Sequence, residues 1–120
     1  MTIYQDKIKK LEDRTIKFSV DIVRKLGKYS DKPSLRPLVN QLIRSATSIG
    51  ANYAEANNAS SKTDFKNKIF IAKKEASETR YWLRVLSELL PGEDLATLEQ
   101  EALELLLILQ KIVTTMKNNK

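Results

Sequence analysis

The feature that most constrains this chain is a spacing rule. From Phe65 onward, Phe65, Ile69, Ala72, Ala76, Thr79, Leu83, Leu86 and Leu90 follow one another in steps of four and three. A helix turns about 100° per residue, so this row stays on one face for about seven turns. A strand, whose side chains alternate with period two, cannot hold such a row. A repeat of seven also implies a gentle left-handed supercoil, with side chains interlocked at the seams between helices.

The same spacing recurs in three other stretches. Ile8, Leu11, Thr15, Phe18, Ile22, Leu26 and Tyr29 mark a first helix, Leu38, Leu42, Ala46 and Ile49 a second, and Leu95, Leu98, Ala102, Leu105, Leu109, Ile112 and Met116 a fourth. Gly27 with Ser30-Asp31-Lys32-Pro33, Asn57-Asn58 and Pro91-Gly92 separate them. Ser34 is expected to cap the second helix, with Pro37 in its first turn. Ser61 is expected to cap the third, with Asp64 in place of the usual capping-box glutamate. Glu93 and Asp94 put negative charge where the fourth helix begins. The predicted helices run about 3–28, 35–58, 62–90 and 93–117, and the closing Lys117–Lys120 is expected to fray. Small residues crowd the second helix (Ser45, Ala46, Ser48, Gly50, Ala51, Ala54, Ala56), which lets a neighbour approach closely. Two short turns and one longer loop then predict one domain, an all-α antiparallel up-down-up-down four-helix bundle.

The composition removes most catalytic devices. The chain has no cysteine and no histidine, hence no disulfide, thiol nucleophile, ordinary zinc site or imidazole acid–base pair. No glycine-rich phosphate loop is present. Glu75 with Glu78 and Glu101 with Glu104 are i,i+3 carboxylate pairs, but di-iron bundles pair glutamate with histidine at that spacing. Charge pairs along a helix, such as Lys74 with Glu78 and Arg84 with Glu88, account for them better. No catalytic residue, metal or cofactor is expected, and the chain does not read as an enzyme. The longest apolar run, Leu105–Leu109, falls far short of the roughly 18 residues of a membrane span. Charges scattered through the first twenty residues interrupt any secretory core, so a cytoplasmic protein is expected without membrane association.

Function is sought among residues left over once the core is filled. Ile71, Trp82, Val85 and Leu89 lie off the core row of the third helix, as do Leu103 and Leu107 on the fourth and Ile16, Val20 and Val23 on the first. They are either scattered exposed apolar side chains or a subunit interface. The same excess on three helices, tryptophan included, favours a homo-oligomer whose interface includes Ile71, Trp82, Val85, Leu89, Leu103 and Leu107. Lys62, Lys66, Lys73, Arg80 and Arg84 occupy a sector of about 40° beside the core row. With a net charge of +6, this stripe has two readings. From the residues alone a solvated flank whose stems cover the seam weighs somewhat more than a polyanion site. Arg44 and Tyr81 could extend such a site toward RNA or DNA, the tyrosine by stacking on a base. A protein-binding scaffold or accessory subunit is the rival function. Glu55, among the small residues of the second helix, needs a partner if buried; Arg80 or Asn52 would serve.

The run Ile43-Arg44-Ser45-Ala46-Thr47-Ser48-Ile49-Gly50-Ala51-Asn52-Tyr53-Ala54-Glu55-Ala56 resembles the R-x-A-x-S-I-x-x-N-x-A-E signature of the bacterial 23S rRNA intervening-sequence proteins. Ser61–Phe65 and Ala72–Leu83 are similar to that family's S-K-x-[DE]-F and A-x-[KG]-E-x-x-E-x-[RE]-x-[WQ]-L segments. The resemblance is specific across residues 43–86. It implies a four-helix bundle assembled as a ring-shaped homopentamer, related to the accessory protein of diversity-generating retroelements, which binds nucleic acid and reverse transcriptase. It does not imply an enzyme. Carried onto this chain, it favours Arg44, Lys73 and Arg80 as polyanion contacts and gives Asn52, Glu55, Glu75 and Glu78 structural roles.

Overall fold

Four α-helices make up the architecture of this computed structural model, which describes residues 2–118. They are α1 (Ile3–Leu26), α2 (Arg36–Asn57), α3 (Lys62–Leu89) and α4 (Ala96–Asn118), with a 3₁₀ turn at Gly27–Asp31. Each helix packs on the next and α4 closes back on α1, while the diagonal pairs α1/α3 and α2/α4 do not meet. The expected four-helix bundle is therefore what the chain forms. It is 47 Å long, and no helix among the described residues is long and apolar enough to cross a membrane.

The helix ends follow local chemistry. Thr2 and Gln5 form a reciprocal capping box at the start of α1, a signal the sequence reading passed over. Ser61 Oγ accepts the Asp64 N–H at 3.0 Å and starts α3 as expected. Ser34 does not cap α2. The chain is extended at Lys32 (φ −94°, ψ 117°), turns at 33–35 then lead straight into that helix, and its first flanking residue, Leu35, is already helical at φ −100°, ψ −23°. Lys32 O takes the Leu35 and Arg36 N–H groups in place of a side-chain cap. Helix α4 begins at Ala96 rather than 93. Asp94 accepts the Ala96 N–H at 3.1 Å, but Glu93 turns back to Tyr29 and Lys28 in the 3₁₀ turn. Of Lys117–Lys120, expected to fray, Lys117 and Asn118 instead continue α4, and Asn119 and Lys120 lie outside the described residues.

The core runs through the middle of the bundle. Ile22, Leu42, Ile49, Ile69, Leu83, Leu86 and Leu105 are fully buried, and Ala46, Ala72 and Ala76 bring α2 and α3 close together. Gly50 does the same for α1, since a Cβ there would lie 2.5 Å from Thr15 Oγ1. The row of α4 departs from expectation at its end: Val113 is buried, whereas Ile112 and Met116 are only half-buried. Ile8 and Leu11 on α1 are half-buried too. The physical reason is that α1 and α4 pack most sparsely of the four neighbouring pairs. With α1 withdrawn, the inward side of α4 turns toward α3, one residue further along, as a 3.6-residue helix drifts against a seven-residue repeat.

Candidate nucleic-acid interface

Five cations stand in one row along α3. Lys62, Lys66, Arg80 and Arg84 are exposed and Lys73 is half-buried. The row spans residues 62–84, about 33 Å of helix. Among the described residues none of the five is within ion-pairing distance of a carboxylate. Lys62 and Lys66 share a shallow groove with Thr115 and Met116, so the row follows the α4 flank of α3. Tyr81, 61% exposed, stands beside Arg80 with its ring edge-on to Trp82 at 5.2 Å.

Arg44 does not join that row. Its Nη1 lies 3.1 Å from Glu75 Oε2, and its Nη2 bonds Glu78, both on the α2 flank of α3. Burial, the largest single influence, opposes the charge on Arg44. The coulombic pull and hydrogen bonds of Glu75 and Glu78 outweigh it and raise the guanidinium pKa above its ordinary value. One cation with two carboxylates leaves this clamp with a net negative charge, in contrast to the unpaired row on the other flank of α3. Glu78 also accepts the Trp82 indole N–H at 3.2 Å. Just inside, Thr79 donates to the Glu75 carbonyl at 2.8 Å and touches the Ser45 hydroxyl at 2.9 Å.

The second carboxylate pair is built likewise. Arg14 of α1 bonds Glu101 through two nitrogens, each at 2.7 Å, and Glu104 at 2.8 Å. The hydrogen bond to Glu101 is the main cause of a raised Arg14 pKa. Each i,i+3 pair thus holds an arginine from the neighbouring helix. The expected pair Lys74 with Glu78 does not form, because the planar Arg44 guanidinium bridges Glu75 and Glu78 better than a lysine on the same helix; Arg84 and Glu88 do not pair either. Glu55 is exposed and its partner is Lys68 at 2.9 Å, a cation the sequence reading overlooked; Asn52 instead bonds Ser48 O on its own helix.

The leftover apolar residues fall on two sides of the molecule. Ile71, Trp82, Val85 and Leu89 run along the α2 flank of α3, opposite the basic row. Ile71 and Leu89 are exposed, Trp82 and Val85 half-buried. Ile16, Val20 and Val23 are exposed on α1. Leu107, 57% exposed, and half-buried Leu103 face outward from α4.

The family model described as 23S rRNA-intervening sequence protein matches residues 9–111. Among solved structures, the chain is similar to a crystal structure of a protein of unknown function from the S23 ribosomal protein family of Bacteroides thetaiotaomicron. The two share 34% identity and a TM-score of 0.78, over 86% of this chain and 97% of that one. No curated protein matches.

Proposed function

The chain belongs to the 23S rRNA-intervening sequence protein family, and we propose that it is a non-catalytic cytoplasmic bundle that self-associates and binds RNA along the basic row of α3. The observation that carries this reading is the contrast between two kinds of cation. Arg14 and Arg44 are each held by two carboxylates, whereas Lys62, Lys66, Lys73, Arg80 and Arg84 line about 33 Å of one helix with no carboxylate partner among the described residues. Such a row neutralises backbone phosphates and releases their counterions. Exposed Tyr81 adds a stacking surface.

Self-association rests on where the apolar residues lie. Exposed rows on α1 and α3 both flank α2, whose outer side chains, such as Thr47 and Ala51, are small. Leu103 and Leu107 project from α4, the helix diagonal to α2. Complementary surfaces on opposite corners favour a head-to-tail ring over a two-fold dimer, and five copies is the number we adopt from the family resemblance. A ring repeats the basic row around its circumference and enlarges the field that an RNA meets.

Binding of a labelled 23S rRNA fragment tests this. At low salt the wild type binds, and changing Lys66, Lys73 and Arg80 together to Glu abolishes binding. Affinity falls steeply with salt, and for single-stranded RNA the slope of log K against log salt drops by about 2 when the three residues are changed to Gln. Binding indifferent to these changes contradicts the proposal. A second reading is supported by half-buried Trp82: the row Ile71, Trp82, Val85 and Leu89 seats a different protein, as in a scaffold or accessory subunit. Trp82→Ala then removes that partner while leaving the mass of the protein alone unchanged.

A further inference from the structure

Below the Arg14 clamp, α1 and α4 part and open a cleft of about 760 Å³. Ile8 and Leu11 form one wall, Ile112 stands on the other, and Tyr53, Asn57 and Phe65 from α2 and α3 close the back. This is where a bundle most readily holds a ligand, between two helices and over an apolar lining. Its charge says what kind. The lining includes Lys7, Lys10 and Lys111 and no carboxylate, and none of the three lysines has an ion-pair partner among the described residues. An anionic head beside these lysines gains a charge complementarity that a neutral or cationic head does not.

We propose that this cleft binds a small anionic amphiphile, with its apolar body between α1 and α4 and its carboxylate, or an equivalent anionic head, among Lys7, Lys10 and Lys111. The cleft follows α1 from Tyr4 to Arg14, about 15 Å, the scale of a medium-chain fatty acid or a fused-ring carboxylate. Its α3 end meets the start of the basic row, since Phe65, Thr115 and Met116 also line the groove beside Lys62 and Lys66, while Lys73, Arg80 and Arg84 lie outside both linings.

Calorimetric titration of the full-length protein with decanoate, decanol and decyltrimethylammonium, each below its self-association concentration, tests the assignment. Decanoate is expected to saturate at one per chain, and to bind at least about tenfold more tightly than decanol or the cation. Lys7→Gln, Lys10→Gln and Lys111→Gln together should weaken it by about tenfold or more, and Ile8→Glu should abolish it with unchanged helical circular dichroism. If Ile8→Glu fails to fold, the lysine variant decides. Changing Lys73 and Arg80 together to Glu, both outside the cleft and its adjoining groove, should leave decanoate affinity as it is, which separates this outcome from that of RNA binding. Three results overturn the proposal: no saturable decanoate binding, equal binding of all three amphiphiles, or binding only when the assembled protein is dissociated. The last would mean that a second copy covers the cleft.

Discussion

At Arg44 the structure sets a signature residue to work between helices. Glu75 is buried and its charge is met by Arg44, so Arg44→Ala strands a carboxylate with little access to water. Since Arg44 itself is 45% exposed, the expected loss is about 1 to 3 kcal/mol, read from urea unfolding, and Glu78→Ala should cost less because Arg44 keeps Glu75. The motif was legible in the sequence but its purpose was not. Charge and position make an arginine look available, and only the approach of Glu75 and Glu78 from another helix shows that it is engaged. Gly50 is a second such residue. An added methyl would press on Thr15 Oγ1 and Cβ, at 2.5 and 2.8 Å, in a buried seam. Gly50→Ala should cost about 1 to 3 kcal/mol in the same assay. Combined with Thr15→Ala, the two losses should fall short of additive, because the methyl then meets one atom fewer.

Elements were the most legible level, for a physical reason: a four-three spacing held over 25 residues leaves a helix as the one conformation that buries it. Their ends were less so. Ser34 has the right chemistry for a cap, yet it sits inside the turns at 33–35 that run into α2, and Lys32 O takes the Leu35 and Arg36 N–H groups. Glu93 has the right charge for a helix start, yet Tyr29 and Lys28 draw it away from α4. That tie between the 3₁₀ turn and the α3–α4 loop makes a prediction about acid. The Tyr29 hydrogen bond is the largest influence on Glu93; burial, the next, opposes it, and with Lys28 and Lys25 adding to the pull the Glu93 pKa is held below its ordinary 4.5. Arg14 and then Gln100 lower Glu104 likewise. A carboxylate with a depressed folded pKa contributes stability above the unfolded value and loses it as pH falls through the folded one. Melting temperature should therefore fall as pH drops below about 4.5, and Glu93→Gln should flatten that fall while lowering stability at neutral pH. An unchanged acid slope in the variant would show that Glu93 contributes nothing there.

For the whole molecule, what matters is that two kinds of surface stay unsatisfied within one chain. Exposed apolar rows on α1 and α3 lie around α2, and Leu103 with Leu107 lies at the opposite corner, so their residues were legible in the sequence as a surplus but their opposed directions were not. Spacing along one helix says which side chains share a face; it does not say which neighbour that face meets. Assembly through those corners would order the basic rows of α3 around a ring and bring several to bear on one RNA. Light scattering after size exclusion addresses this most directly. The wild type should have a mass about five times the 13.7 kDa chain, and Leu107→Glu should lower it to 13.7 kDa with helicity intact. A wild-type particle of 13.7 kDa across micromolar concentrations would contradict the assembly.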